Sequence, residues 1–379
     1  MSGAAVNEAR RQQLRRRVLA DLGGSAAAID EVLKRSPLPP PLDPGDLPPG
    51  DEPQCEAWSD YVREAERDGA VATLRRRLVQ LRFPVREGIS CTDEYRAATL
   101  RGEWPASTED GVAFHDPDGI TIELHRSVAG RVPVLTARDR RDFELLVQAL
   151  AQRGEPRPVR PEMGAMILRG LNNWDRIERW KQRWLSGRQA SDFDGSAWRA
   201  EFQRLRQHKD QYQDRLVVLS CCPYSGVAAA ELGRAPEQWE RDSMIVRREH
   251  ECAHYLTLRM TGALHSHLHD ELVADFAGLV AAYDDYSATL ARRLLGIEDG
   301  LREGGRVHQY RGEPPLGDEA FGLLVDLTAR ASESVQEWWR RSRDEARGRA
   351  SHGEETAAGQ LTAAVCALQS LSLEELSRL

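Results

Sequence analysis

Apolar residues recur at helical spacing along most of the chain, and they alternate or cluster only in short segments. The helical periodicity predicts helices at residues 5–35 with a break at Gly23-Gly24, and at 56–81, 136–153, 162–186, 195–213, 236–261, 272–295, 317–347 and 355–378. Alternation on both sides of residues 116–119 predicts a β-hairpin over 111–125. The apolar run 215–222 predicts one further strand. The expected fold class is therefore α+β and mainly helical.

Proline-rich stretches mark the expected domain boundaries. Eight prolines between residues 37 and 53 indicate an extended connector, and residues 154–161 form a second linker candidate. We therefore expect an N-terminal helical segment at residues 1–35 and a proline-rich linker at 36–54. An accessory α/β region with the hairpin follows at 55–155, and a C-terminal domain at 156–379.

The helix predicted at 236–261 carries the sequence His250-Glu251-Cys252-Ala253-His254, an HExxH motif. Residues four apart lie on one face of a helix, so both imidazoles can bind one zinc ion. Glu251 is offset from His250 by about 100° around the helix axis, which places its carboxylate beside the metal as a base. Cys252 lies on another face, and we expect it to be a packed thiol.

The next predicted helix brings two carboxylates and a glycine in an ExxxDxxG pattern. Glu271 would complete a set of two histidines and one glutamate and leave a position open for water, which is typical of catalytic zinc. Asp275, one turn later, can accept the free ring N–H of a histidine ligand. Gly278 would let the two helices approach closely. The alternative that we weigh against a metal site is two surface histidines on a charged helix.

Residues 236–280 resemble the gluzincin zinc metallopeptidases, in which an HExxH helix and a later ExxxD helix build the active site. The resemblance implies a zincin-like catalytic domain with zinc ligands His250, His254 and Glu271, the general base Glu251 and the supporting Asp275. It also implies a small β-sheet that packs on the HExxH helix. The edge strand of that sheet binds extended peptide. The spacer of 16 residues between His254 and Glu271 is slightly shorter than is usual in that family.

Gluzincins also hold a histidine or tyrosine near the substrate oxygen on which negative charge develops. His308 and Tyr310, in the loop after the second motif helix, are the candidates that we select for this role. The histidines between the two helices are further candidates: His265, His267 and His269.

Composition adds little about the substrate. The net charge of −8 argues against general nucleic-acid binding. Arginine supplies 49 of the 52 basic residues, a bias typical of a high-GC bacterium. We expect no signal peptide, no membrane-spanning helix, and six free thiols in a reducing cytoplasm.

Three functions remain open at this point. The leading hypothesis is a zinc-dependent hydrolase that cleaves an amide or peptide bond in a cytoplasmic substrate of narrow specificity. The second is a zinc-dependent tailoring enzyme that acts on a small molecule or peptide in a biosynthetic pathway. The third is a non-catalytic regulatory or interaction protein with a vestigial metal site. The sequence does not indicate the oligomeric state.

Overall fold

The computed structural model describes residues 3–39, 49–104, 111–186, 195–263, 267–349 and 357–379. The chain forms two compact units. The sheet unit consists of Gly50–Cys222, and the helical unit consists of Met1–Pro49 together with Pro223–Leu379.

The described elements confirm a mainly helical α+β fold. The helices are α1 (Gly3–Asp21), α2 (Ala26–Arg35), α3 (Gln54–Asp68), α4 (Ala70–Arg77), α5 (Asp93–Arg101), α6 (Arg140–Leu150), α7 (Trp174–Ser186), α8 (Gly195–Leu205), α9 (Pro236–Thr261), α10 (Leu268–Tyr283), α11 (Ala288–Leu295), α12 (Asp318–Arg349), α13 (Ala357–Gln369) and α14 (Leu373–Leu376). The strands are β1 (Ile120–Ser127), β2 (Gly130–Ala137), β3 (Ala165–Asn172) and β4 (Gln213–Ser220).

The sheet unit is built on one four-stranded mixed sheet with the order β1-β2-β4-β3. β2 runs parallel to β4 and antiparallel to β1, and β3 runs antiparallel to β4. Side chains from β2 and β4 share a buried apolar cluster with Trp58 of α3 and Phe143 of α6. The pairing of β2 with β4 makes residues on both sides of position 155 parts of one sheet. The domain boundary predicted between residues 155 and 156 was therefore wrong.

The same pairing shows where the strand predicted at 215–222 lies. That strand exists as β4, but it lies inside the sheet with a partner on each side, so its backbone groups are already used. It belongs to the sheet unit, whereas the HExxH helix belongs to the helical unit. Within the described residues of the helical unit there is no strand.

In the helical unit, α9 and α10 form an antiparallel pair across a short connection. The pair is close because Gly278 of α10 has no side chain: a Cβ at this position would lie 2.5 Å from the backbone oxygen of Val246 on α9. This confirms the close approach expected at Gly278. Apolar burial extends along α10, where Leu272, Phe276 and Leu279 are almost fully buried.

Two arginine–carboxylate ion pairs connect helix α1 to helix α14 of the same unit. Arg15 Nε donates to Glu374 Oε2 at 2.9 Å, and both side chains are buried. Arg11 pairs with Glu375 through two nitrogens, with Nη2 at 2.6 Å from Oε2. The predicted break between α1 and α2 at Gly23-Gly24 is confirmed, and Gly23 has a φ of +87°.

Several predicted elements differ from the structure in the sheet unit. A hairpin exists at Ile120–Ala137 and not at the predicted residues 111–125, and its turn lies at Val128-Ala129 and not at residues 116–119. The Val128-Ala129 turn is buried and apolar, so it lacks the polar turn residues that sequence patterns detect. Residues 117–119 instead form one 3-10 turn, which Asp116 caps by accepting from the N–H of Gly119.

Several predicted helices also differ from the structure. The first half of the helix predicted at 162–186 is strand β3, and the helix predicted from residue 136 begins at Arg140, because the preceding residues pair in β2. The helix predicted at 272–295 begins earlier, at Leu268, and divides into α10 and α11 at Asp284, which has a φ of +54°. No helix among the described residues is long and apolar enough to cross a lipid bilayer.

Candidate metal centre

Both ends of α9, the helix that carries the motif, are set by local residues. Pro236 occupies the first turn, where a backbone N–H would have no partner within the helix, so proline loses no hydrogen bond there. Gly262 ends the helix in the left-handed conformation with a φ of +75°. His250 lies in the middle of this helix and is 5% exposed. The motif therefore lies in a buried, continuous helix, and not on a solvated helix face as the surface-histidine alternative requires.

Three ligand-type side chains converge between α9 and α10. The Nε2 atoms of His250 and His254 are 3.1 Å apart. The two carboxylate oxygens of Glu271 complete the group, with Oε2 at 3.5 Å from Nε2 of His250 and Oε1 at 3.4 Å from Nε2 of His254. The structure thus brings together the three residues that the sequence predicts as ligands.

These separations match the geometry of one tetrahedral zinc ion. Zinc binds histidine nitrogen and carboxylate oxygen at about 2.0–2.2 Å, so two ligand atoms at tetrahedral positions lie about 3.3–3.6 Å apart. The separation of the two histidine nitrogens is just below this range, and each oxygen of Glu271 lies within it from a different histidine nitrogen. All three donors are the types that zinc prefers, and three protein ligands leave one coordination position open. The residues present therefore fit a zinc ion.

Asp275 lies behind His250, on the side of the ring away from His254. Its Oδ1 is 2.9 Å from Nδ1 of His250. A carboxylate can only accept, so this contact assigns the ring proton to Nδ1 and leaves a lone pair on Nε2. The structure thus places Asp275 in the supporting position that the sequence predicts.

Tyr224 and Arg306 complete the arrangement around Asp275, and the sequence analysis missed both. The hydroxyl of Tyr224 donates to Oδ1 of Asp275 at 2.5 Å and lies 2.8 Å from Nδ1 of His250. Arg306 donates through Nη1 to that hydroxyl at 2.7 Å and forms an ion pair through Nη2 with Oδ2 of Asp275. The buried carboxylate is therefore neutralised by a buried guanidinium.

Both residues come from irregular segments that lack a motif. Tyr224 lies in a 3-10 turn after β4, and Arg306 begins a 3-10 helix that spans Arg306–Arg311. The residues Pro223-Tyr224-Ser225-Gly226 are typical of a turn, which is the one signal that the sequence offers for Tyr224. The sequence offers no signal for Arg306, because nothing in it distinguishes this arginine from the other 48.

Glu251 and Tyr310 lie next to the ligands. Glu251 is half-buried, and its charge acts on His254. Tyr310 is half-buried and close enough to Glu271 for the carboxylate to act on the pKa of its phenol. Burial raises the pKa of Tyr310, and the Glu271 carboxylate raises it further, so the phenol keeps its proton at neutral pH.

The other predicted donors lie elsewhere. His308 is exposed, its Nε2 is 3.0 Å from the carbonyl oxygen of Arg302, and its ring faces Phe321. His308 therefore does not join the cluster, because the short 3-10 helix that directs Tyr310 inward directs His308 outward. His269 lies 3.3 Å from the carbonyl oxygen of Leu368. His267 precedes α10 as its N-cap residue, and His265 lies outside the described residues.

The electrostatics of the cluster follow from burial opposed by close charges. Burial lowers the pKa of His254, but the hydrogen bond and charge of Glu271 outweigh it and raise the pKa to about 9. Burial raises the pKa of Glu271, yet His254 and His250 hold it well below its usual range. For Asp275, burial likewise raises the pKa, and Arg306 and His250 outweigh that effect and lower it. Both carboxylates are therefore anionic at neutral pH.

Comparison with known families places this site in a wider group of proteins. The model of a family of unknown function, DUF7005, matches residues 18–378. The chain belongs to the DUF7005 family. No curated protein and no solved structure matches the chain significantly.

The DUF7005 match extends over the whole candidate centre, from Tyr224 through the two motif helices to Tyr310. It also includes the sheet unit, Gly50–Cys222, so the domain that defines DUF7005 is not restricted to the two motif helices. The family description assigns no activity, and the chemistry of the centre has to be argued from its own residues.

Proposed function

We propose that this DUF7005 protein is a zinc-dependent hydrolase that cleaves an amide or peptide bond in a substrate of narrow specificity. The observation that supports it is the convergence of His250, His254 and Glu271, whose nitrogen and oxygen atoms lie 3.1–3.5 Å from one another across the residue pairs. The proposal includes a zincin-like arrangement of the helical unit, similar to the gluzincin metallopeptidases. It also places the protein in a reducing cytoplasm, because all six cysteines are free thiols.

His250, His254 and Glu271 would hold the zinc ion. When bound, zinc supplies a Lewis acid that polarises the scissile carbonyl group and lowers the pKa of water towards neutrality. Asp275 fixes the ring of His250 and keeps the proton on Nδ1, so that Nε2 faces the ligand position. Arg306 balances the charge of Asp275 and lets it remain a buried anion.

Glu251 and Tyr310 take the chemical roles. Glu251 accepts the proton of the attacking water and delivers it to the leaving amine. Tyr310 stays protonated, so its hydroxyl can donate to the substrate oxygen on which negative charge develops. A structural metal site needs neither a base nor a donor beside the ligands, and the presence of both favours catalysis over a vestigial site.

The first experiment measures metal and activity in matched variants. We expect about one zinc per chain in the purified wild type, and loss of that zinc in Glu271→Ala, by elemental mass spectrometry. Glu251→Gln should keep its zinc and lose at least about a hundredfold in hydrolysis of a peptide library. Wild type that takes up no zinc, even after reconstitution, would overturn the proposal. Full activity in zinc-loaded Glu251→Gln would remove the assigned base.

A second candidate is a zinc-dependent tailoring enzyme that acts on a small molecule or peptide. One observation favours it: the described residues of the helical unit contain no strand, so that unit offers no sheet edge along which an extended peptide could pair. The two candidates differ in substrate size. A hydrolase for extended peptides should prefer longer peptides over a blocked single-residue amide, whereas a tailoring enzyme should show no such gain with length.

A further inference from the structure

A partly enclosed cavity of about 230 Å³ lies in the helical unit at the end where α9 and α10 are connected. We call it the loop-end cavity. Its walls include Thr257 and Thr261 of α9, Leu268 of α10 and Leu324 of α12. We propose that this cavity binds an apolar side chain of the substrate next to the bond that the metal centre cleaves. This inference rests on the proposed function and specifies its substrate class.

The position of the cavity follows from the order of contacts between the two helices. Going along α9 towards its C-terminus, Val246 meets Gly278, His250 meets Asp275, and His254 meets Glu271. One turn further on, Thr257 and Leu268 both line the cavity. Residues three or four apart share a helix face, so the cavity and the ligands lie on the same faces of both helices. The cavity therefore begins about one helical turn from the metal ligands.

The polar groups that line the cavity already have partners within the protein. Arg15 donates to Glu374 at 2.9 Å and to the carbonyl oxygen of Ser36 at 2.5 Å. Asp270 accepts from Gln369 at 2.6 Å. The hydroxyls of Thr257 and Thr261 each bond to a carbonyl oxygen one turn earlier in α9. A charged ligand group would have to break these pairs or remain unpaired, and burying it would be unfavourable.

The rest of the wall is mainly apolar, with His267, His269 and Ser372 as its further polar residues, and it sets the size of the guest. Leu268, Leu324 and Leu373 are each less than 10% exposed, and Pro37 and Leu38 close one side. A cavity of 150 Å³ in another protein holds benzene, and pockets for drug-sized ligands begin at about 300 Å³. About 230 Å³ thus suits one side chain of leucine to phenylalanine size. A whole small-molecule substrate would need more room.

The test uses hydroxamates, which bind an open zinc site and can carry one side chain. The compounds are acetohydroxamate, its analogues with an isobutyl or a benzyl side chain, and succinic monohydroxamate as the charged analogue. Binding to the zinc-loaded full chain is measured by titration calorimetry. We expect the isobutyl and benzyl compounds to bind ten- to a hundredfold more tightly than acetohydroxamate, because their side chains leave water. Succinic monohydroxamate should bind no more tightly than acetohydroxamate.

Variants of Thr261 test whether the gain in affinity comes from binding of the side chain in the loop-end cavity. In Thr261→Phe, the new ring fills the cavity, and the affinity ratio of the isobutyl compound to acetohydroxamate should fall to near one. In Thr261→Val, which has nearly the same size, the ratio should stay near that of wild type. If a melting curve shows that Thr261→Phe does not fold, Thr261→Leu replaces it and should reduce the benzyl gain more than the isobutyl gain.

Each outcome has a distinct meaning. If acetohydroxamate does not bind the zinc-loaded wild type, the open metal site and the proposed function fail, and the cavity proposal fails with them. If acetohydroxamate binds but the apolar side chains bring no gain, the cavity proposal alone is overturned. A gain that survives in Thr261→Phe would also overturn it, because the side chain would then be binding somewhere else.

Discussion

Nδ1 of His250 lies 2.9 Å from Oδ1 of Asp275, while Nε2 on the other side of the same ring lies 3.1 Å from Nε2 of His254. One imidazole thus connects the buried carboxylate to the ligand cluster. Because Asp275 fixes both the tautomer and the orientation of His250, any change at Asp275, Tyr224 or Arg306 should act through this ring on the cluster of His250, His254 and Glu271.

Asp275→Asn should weaken zinc binding by about ten- to a hundredfold. The amide carries no charge to stabilise the ring N–H, and it leaves the buried guanidinium of Arg306 without a counter-ion. The zinc dissociation constant is measured by competition with a chelator. The control is Asp284→Asn, which makes the same chemical change at an exposed C-cap in the left-handed conformation, where asparagine fits well. Equal affinities in the two variants would show that Asp275 does not support the site.

Tyr224→Phe should lower the free energy of unfolding by about 1–3 kcal/mol. The missing hydroxyl leaves Nη1 of Arg306 with one partner fewer in a buried position and removes a donor to Asp275. Urea unfolding of the zinc-loaded protein provides the measurement. Tyr212→Phe, at a half-buried tyrosine of the sheet unit, is the comparison variant and should change stability little. A loss below about 0.5 kcal/mol for Tyr224→Phe would mean that water replaces the hydroxyl at no cost.

Gly278→Ala should destabilise the protein by about 1–3 kcal/mol and also weaken zinc binding. The new Cβ would lie 2.5 Å from the backbone oxygen of Val246, so α9 and α10 must move apart and the ligands must separate. Gly322→Ala in α12 is the matched control, because its Cβ meets nothing within 4 Å. Alanine in an open helical position should stabilise by about 0.4–1 kcal/mol. Thermal unfolding and zinc titration of both variants show whether Gly278→Ala lowers stability and zinc affinity while Gly322→Ala raises stability.

The pair between Arg11 and Glu375 should make stability fall in acid. Burial raises the pKa of Glu375, but the Arg11 hydrogen bonds outweigh it and hold the pKa below its usual value. A lowered folded-state pKa means that the stabilisation is fully present above the unfolded-state pKa of about 4.3 and is lost as the pH falls through the folded-state value. Glu375→Gln keeps the shape of the side chain and removes the charge. The stability difference between wild type and Glu375→Gln should be constant from pH 6 to 8 and should shrink below about pH 4. A difference that does not depend on pH would contradict the ion pair.

The sequence by itself determined those features of the site that depend on spacing along one helix. HExxH and ExxxD are both i,i+4 patterns, and helix geometry is the same in every protein. His250 and His254 must therefore share one helix face, and so must Glu271 and Asp275, without any tertiary information. Pro236 and Gly262 set the ends of α9 for equally local reasons. The strand β4 and the mainly helical α+β class came from hydrophobic periodicity.

Tertiary structure decided what depends on contacts between distant segments. The pairing of β2 with β4 overrode the predicted domain boundary, because hydrogen bonds between strands join residues 83 positions apart and leave no mark on local composition. Tyr224 and Arg306 belong to the site because two irregular loops fold onto Asp275, and their backbone paths depend on the packing of the whole helical unit. The same holds for the choice of Tyr310 over His308: two residues apart on one short turn, they point in different directions, and only the packed structure determines which of them faces the ligands.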